Sequence, residues 1–131
     1  MKKIFSLKAW LQLLRLPNLF TVPGDPVLGT VLFCAGHTGM LVSYGYLWRI
    51  IVSSLCIYGV GLILNDIADI KEDSFKRPER PLPSGNLSFI SAVFTAFLLM
   101  LVALLTGFAT SLRAGVTVLF LLILVVLYNF F

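Results

Sequence analysis

The sequence predicts an all-α integral membrane protein, a helical bundle with about four transmembrane helices. Two observations lead there. Of the 131 residues, 59% are apolar and only 12% are charged, against about half and about a quarter in an ordinary soluble domain. The mean hydropathy is +0.99. A chain this rich in Leu, Val, Ile and Phe has too little polar surface to cover a soluble globule. Because a bilayer core needs roughly 20 apolar residues per helix, 131 residues leave room for four spans at most.

Net charge is +4. The basic residues flank apolar runs and form no continuous patch, which fits topology signals and excludes a nucleic-acid surface. Cys34 and Cys56 lie in apolar stretches without metal-ligand spacing and read as small packing residues. No secretory signal peptide is expected, since Lys8 and Arg15 interrupt the would-be apolar core.

Taken in order, Met1–Arg15 reads as a basic amphipathic entry lying in the headgroup region, with Trp10 at the interface. The first span covers about 16–35. Pro17, Pro23, Gly24, Asp25 and Pro26 all fall inside it, so its first half is expected to be a bent helix lining a cavity. Asp25 is equally readable as a cavity residue or as part of a helix-breaking turn. The second span covers about 41–64, with Arg49 able to snorkel outward. A polar motif loop follows at 65–85. The third span, about 87–110, and the fourth, about 114–131, are uncharged.

Lys2, Lys3, Lys8 and Arg15 precede the first span, and Lys71, Lys76, Arg77 and Arg80 lie between the second and third. The positive-inside rule then places the N-terminus and the motif loop in the cytoplasm of an inner or equivalent membrane. Tyr44, Tyr46 and Trp48 read as aromatic-belt anchors and His37 as a solvated loop residue. Phe94, Phe97 and Phe108 read as contacts to lipid or neighbouring helices. Gly59 and Gly61 are expected to permit close helix packing; a Gly-x-Gly inside a span is no dinucleotide fingerprint.

The chemistry-bearing stretch is Asn65-Asp66-Ile67-Ala68-Asp69-Ile70-Lys71-Glu72-Asp73. On a helix continued past the interface, Asn65, Asp69 and Asp73 fall at i, i+4 and i+8 on one face, with Asp66 near the same side. Carboxylates in such a stripe repel unless a cation sits between them, and hard oxygen donors suit Mg²⁺, which commonly takes one or two carboxylates plus substrate phosphate and water. Immediately afterwards come Lys76, Arg77 and Arg80 among stiffening prolines. Arg is suited to bidentate phosphate contacts. Acids to hold metal beside bases to hold phosphate, at a membrane mouth, suit a lipid diphosphate; the plain alternative is a solvated loop with inside-positive bias.

The run Asn65-Asp66-x-x-Asp69-x-x-x-Asp73 followed by Arg80-Pro81-Leu82-Pro83-Ser84-Gly85 closely resembles the first aspartate-rich motif of the UbiA family of membrane prenyltransferases. The segment Leu14-Arg15-Leu16-Pro17-Asn18 through Pro23-Gly24-Asp25 is similar to that family's first helix. The resemblance implies a helical bundle of usually nine spans and Mg²⁺-dependent transfer of a prenyl group from an isoprenoid diphosphate to an aromatic or other lipid acceptor (EC 2.5.1 class). It implies Asn65, Asp66, Asp69 and Asp73 as metal ligands, with Asp69, Asp73 and Tyr128 in catalytic roles, Tyr128 facing the allylic cation. Arg77 and Arg80 resemble diphosphate-binding or loop-ordering cations, with Lys76 beside them, and Arg15 and Asn18 match an Arg-x-Pro-Asn element near the cavity.

A second aspartate-rich motif is absent, since no acid follows Glu79. The expectation is therefore a truncated bundle, residues 1–131 being the N-terminal part of the prenyltransferase domain. The alternative is a non-catalytic or split chain that needs a partner carrying the second motif. A small transporter or channel subunit fits least, because the third and fourth spans carry almost no polar residues.

Overall fold

The computed structural model describes residues 7–37 and 42–131. All its regular elements are helices: α1 (Leu7–Leu13), α2 (Leu16–Leu19), α3 (Gly24–Gly36), α4 (Tyr44–Ala68), α5 (Ile70–Lys76), α6 (Phe89–Thr110) and α7 (Leu112–Phe130). Four stretches are long and apolar enough to cross a membrane: Pro17–Gly36, Tyr44–Ala68, Phe89–Thr110 and Leu112–Phe130. Lys2 and Lys3 of the basic entry, and Leu41 at the expected start of the second span, lie outside the described residues.

Helix starts follow local chemistry. The Ser43 hydroxyl accepts from the Gly45 N–H at α4, and Ser111 accepts from the Ala114 N–H at α7, each satisfying a donor the helix leaves open. Pro26 sits in the first turn of α3, where its missing N–H costs nothing. Asp25 shares that turn and is exposed, which favours its turn reading and suits the positive end of the helix dipole. The first span is broken over Phe20–Pro23 rather than smoothly bent.

Helix α4 is the hub. It packs most extensively on α6, then on α7, and α1, α3 and α5 also touch it. In a bilayer apolar burial gives little drive for helices to associate, so close approach and internal polar bonds matter more. The buried positions of α6 are Ala92, Ala96, Ala103 and Gly107. A Cβ on Gly59 of α4 would come 3.0 Å from Leu99 Cδ1, so that glycine permits close packing as expected. Gly61 has more room and borders a cavity instead. The Ser53 hydroxyl donates to the Ala103 carbonyl at 3.1 Å and pairs with Thr106 Oγ1 at 2.7 Å, a polar tie between α4 and α6. Arg49 does not simply reach outward: its Nη1 donates to the Ala109 carbonyl at 2.6 Å, placing a cation at the negative end of α6.

Helices α6 and α7 are joined by Ser111 alone, and Gly107 and Gly115 face each other across that hairpin, where a Cβ on Gly107 would sit 3.3 Å from the Gly115 Cα and 2.9 Å from Val118 Cγ2. By contrast α3 buries no residue. The described part of the amphipathic entry, α1, packs on the bundle, since Ala9 and Leu13 are buried and α1 touches α4.

Replacing Gly107 with Val forces α6 and α7 apart and is expected to destabilise the bundle by about 1–3 kcal/mol. Thermal unfolding in detergent checks this; a melting temperature equal to the parent's would mean the hairpin is not close-packed at that point.

Candidate functional site

Helix α4 ends at Ala68, and Asp69 caps it before α5 begins. The helix expected to continue past the interface is interrupted there: the Asp69 N–H closes α4 on the Asn65 carbonyl at 2.9 Å, and the Asp73 N–H bonds back to the Asp69 carbonyl at 2.8 Å as α5 starts. The four motif residues therefore stay near one another, but they form two groups. Asn65 Nδ2 donates to Asp69 Oδ2 at 3.1 Å. Asp66 and Asp73 face Arg80, whose Nη1 lies 3.4 Å from Asp66 Oδ1 and 2.5 Å from Asp73 Oδ2. Asp66 stands on the last turn of α4 and Asp73 on α5, and the shared guanidinium brings their carboxylates together across the junction.

Asp66 is 8% and Asp73 4% exposed. Carboxylates so shielded require partners, and Arg80 supplies one to both. Arg80 is delivered by the Arg77–Leu87 segment, which bonds to itself (Ser84 N–H to the Arg80 carbonyl, 3.0 Å; Leu87 N–H to the Pro81 carbonyl, 2.9 Å). Gly85 takes φ +71° there, a conformation open to glycine without a Cβ penalty. Leu82 and Leu87 are buried and anchor the turn to the apolar core.

Two cavities open at this end of the bundle. One, of about 490 Å³, lies between α4 and α7. Its walls are two facing stripes of matching period: Tyr58, Gly61, Leu62 and Asn65 from α4, and Leu121, Leu124, Val125 and Tyr128 from α7. The other, about 190 Å³, is bordered by Gln12, Asp66, Glu79, Arg80 and Pro81. Arg15 borders both. It is also the one non-glycine residue with positive φ among the described residues (φ 45°, ψ 61°), a conformation that is costly outside glycine and that clusters at functional sites.

Of the residues singled out in the sequence, Asn65, Tyr128 and Arg15 meet at the larger cavity, and Asp66, Arg80 and Arg15 at the smaller. Lys76 instead pairs with Glu72 at 2.5 Å on the exposed side of α5, and that hydrogen bond holds the Glu72 carboxyl below the ordinary glutamate range. Arg77 is exposed at the end of α5. Asn18 is exposed and borders neither cavity; its carbonyl accepts from Thr21 Oγ1 at 2.7 Å. The sequence reading missed Gln12, Tyr58, Glu79 and Asn129. Tyr58 was recoverable, standing two turns before Asn65 on the same stripe.

Among the described residues no three His, Cys, Asp or Glu side chains gather as a metal cluster. The acids offer pairs of hard oxygen donors. This fits Mg²⁺ in the mode where one or two carboxylates share the ion with phosphate oxygens and water.

The model of the UbiA prenyltransferase family matches residues 26–131. Relatives include proteins named digeranylgeranylglyceryl phosphate synthase from Methanosphaera stadtmanae (32% identical, covering 80% of this chain and 40% of that protein), Methanococcus aeolicus (36%; 73% and 33%) and Methanocaldococcus jannaschii (35%; 79% and 35%). The chain thus spans 40% or less of the length of these relatives. No solved structure matches it.

Because Arg80 lies closer to Asp73 than to Asp66, Asp73→Ala is expected to destabilise the fold more than Asp66→Ala, and since each variant leaves Arg80 one acid, each loss stays below the roughly 3–5 kcal/mol of a buried charge left with no partner. Unfolding of the two variants in detergent measures the difference; equal losses would contradict the asymmetric clamp.

Proposed function

The chain belongs to the UbiA prenyltransferase family, and from that premise we propose that it forms the diphosphate-holding part of an enzyme that moves a prenyl group from an isoprenoid diphosphate to an aromatic or other lipid acceptor. One observation carries the reading: an acid–guanidinium cluster and an apolar cavity adjoin at one end of the bundle, with Arg15 bordering both. A substrate with a charged head and a hydrocarbon tail requires those two environments side by side.

In this proposal Asp69 and Asp73, with Asn65 and Asp66, would hold Mg²⁺, which when bound would neutralise charge on the diphosphate. Arg15, Arg77 and Lys76 add cationic charge around the head group, and Asn18 stands on the segment that carries Arg15. The allylic carbon–oxygen bond breaks with its electron pair leaving on the diphosphate. That carbon then bonds to the acceptor's nucleophilic atom, which gives up a proton. The apolar walls of the α4–α7 cavity would take the hydrocarbon tail, and Tyr128, which borders that cavity and is exposed, offers an electron-rich face to the positive charge. The relatives' name makes a glyceryl phosphate lipid the first acceptor to test.

A second reading is favoured by acids that stand in pairs rather than threes: this chain is non-catalytic alone and needs a partner with a second aspartate-rich motif. Assay with labelled isoprenoid diphosphates in membranes separates the two. Transfer by the chain alone overturns the second reading, and transfer only on co-expression with a segment carrying such a motif supports it. In whichever assembly is active, Asp69→Asn and Asp73→Asn are each expected to lower turnover by about 100-fold, the scale of losing one electrostatic element. Unchanged Mg²⁺-dependent turnover would remove the metal role.

The site end, rich in Lys and Arg, is proposed to face the cytoplasm. Ser84→Cys, in a background with Cys34 and Cys56 replaced by Ala, is expected to react with an impermeant maleimide only when the cytoplasmic side is opened. Labelling of intact cells would invert the topology.

A further inference from the structure

Arg80 is committed before any substrate arrives. Its Nη1 lies 2.5 Å from Asp73 Oδ2 and 3.4 Å from Asp66 Oδ1, so one guanidinium nitrogen stands between two shielded carboxylates two turns apart. It is therefore placed where a cation shared by those acids would sit. Two charges of one sign do not occupy that position together, because repulsion at such distances is several kcal/mol even at an effective dielectric of about 20. The turn bearing Arg80 is tied down by the buried Leu82 and Leu87, so moving the guanidinium off the acids requires side-chain rotation rather than a shift of the turn. Once displaced, the guanidinium needs a new anion within reach, and a diphosphate at the smaller cavity, which Arg80 itself borders, supplies one.

We propose that Arg80 is an internal counter-cation that makes divalent-cation binding conditional on the diphosphate: it holds Asp66 and Asp73 in the free protein, excludes the metal when no diphosphate is present, and moves onto phosphate oxygens when both arrive. Arg80 is a positioning residue in this account, and the inference rests on the reading of the acids as a metal–diphosphate site. It assigns order to that site: the two ligands enter as a pair.

The test is Mn²⁺ binding to the purified full chain in detergent, followed by the loss of the free-ion paramagnetic resonance signal, with and without inorganic pyrophosphate. Wild type is expected to bind Mn²⁺ about tenfold or more tightly when pyrophosphate is present, after correction for Mn²⁺–pyrophosphate in solution, a coupling within the usual range for linked ligands. Arg80→Met is expected to bind Mn²⁺ alone more tightly than wild type and to lose that coupling. Arg80→Lys, which keeps the charge and guards against misfolding of the Met variant, is expected to retain weak binding of Mn²⁺ alone. Equal Mn²⁺ affinity in wild type and Arg80→Met, or coupling that survives in Arg80→Met, overturns the latch while leaving the site intact. No Mn²⁺ binding under any condition overturns the metal–diphosphate site itself, and the latch with it.

Discussion

The structure depends on how closely α4 and α6 approach. Inside a bilayer lipid tails solvate apolar side chains as well as another helix does, so contact must be made through small residues and through polar groups with nowhere else to bond. Ala92, Ala96 and Ala103 present a surface with almost no side-chain relief. Gly59 on α4 makes room for Leu99 of α6, and Ser53 bonds across the pair to the Ala103 carbonyl and Thr106. Arg49 closes the other end by donating to the Ala109 carbonyl of α6. With α4 fixed against α6, the one-residue link at Ser111 leaves α7 little choice but to fold back beside both.

That packing decides where the chemistry sits. α4 runs past the apolar stretch and carries Asn65 and Asp66 on its last turn, directly above the cavity it shares with α7. The one-residue interruption at Asp69 leaves α5 beside the end of α4, so Asp73 remains within reach of the same guanidinium as Asp66. A helix that ended at Asn65 would have scattered these acids into a loop. Shielded acids are tolerated because Arg80 is brought back by a turn whose two leucines are part of the core. The apolar core thus holds the charged cluster together, and Arg15 connects that cluster to the lipid-like cavity below it.

The helices surrounding this centre differ in how fully they are engaged. α1 buries Ala9 and Leu13, whereas α3 buries nothing and leaves Val31, Leu32 and Phe33 exposed. Such a helix is held in place chiefly by membrane insertion and by its contact with α4. The relatives are more than twice as long as the region they share with this chain.

The all-helical membrane class, the four spans and the acid–base motif were all legible in the sequence, because length and apolar content set the first two and charge at a membrane mouth marks the third. Helical period also predicted that Asn65 and Asp69 would meet. What it left undecided was which side each charge would choose. Lys76 turns to Glu72 and Arg80 to Asp66 and Asp73, although both are basic residues of the same short segment; only the placement of Leu82 and Leu87 in the core determines that Arg80 is carried back over the acids. Tyr58 and Tyr128 sit on separate helices 70 residues apart in number, and their shared cavity exists only once α4 and α7 lie side by side. Local pattern determined the elements and the ligand types; tertiary packing decided the partners, because charge pairing over a distance depends on where the core holds the backbone.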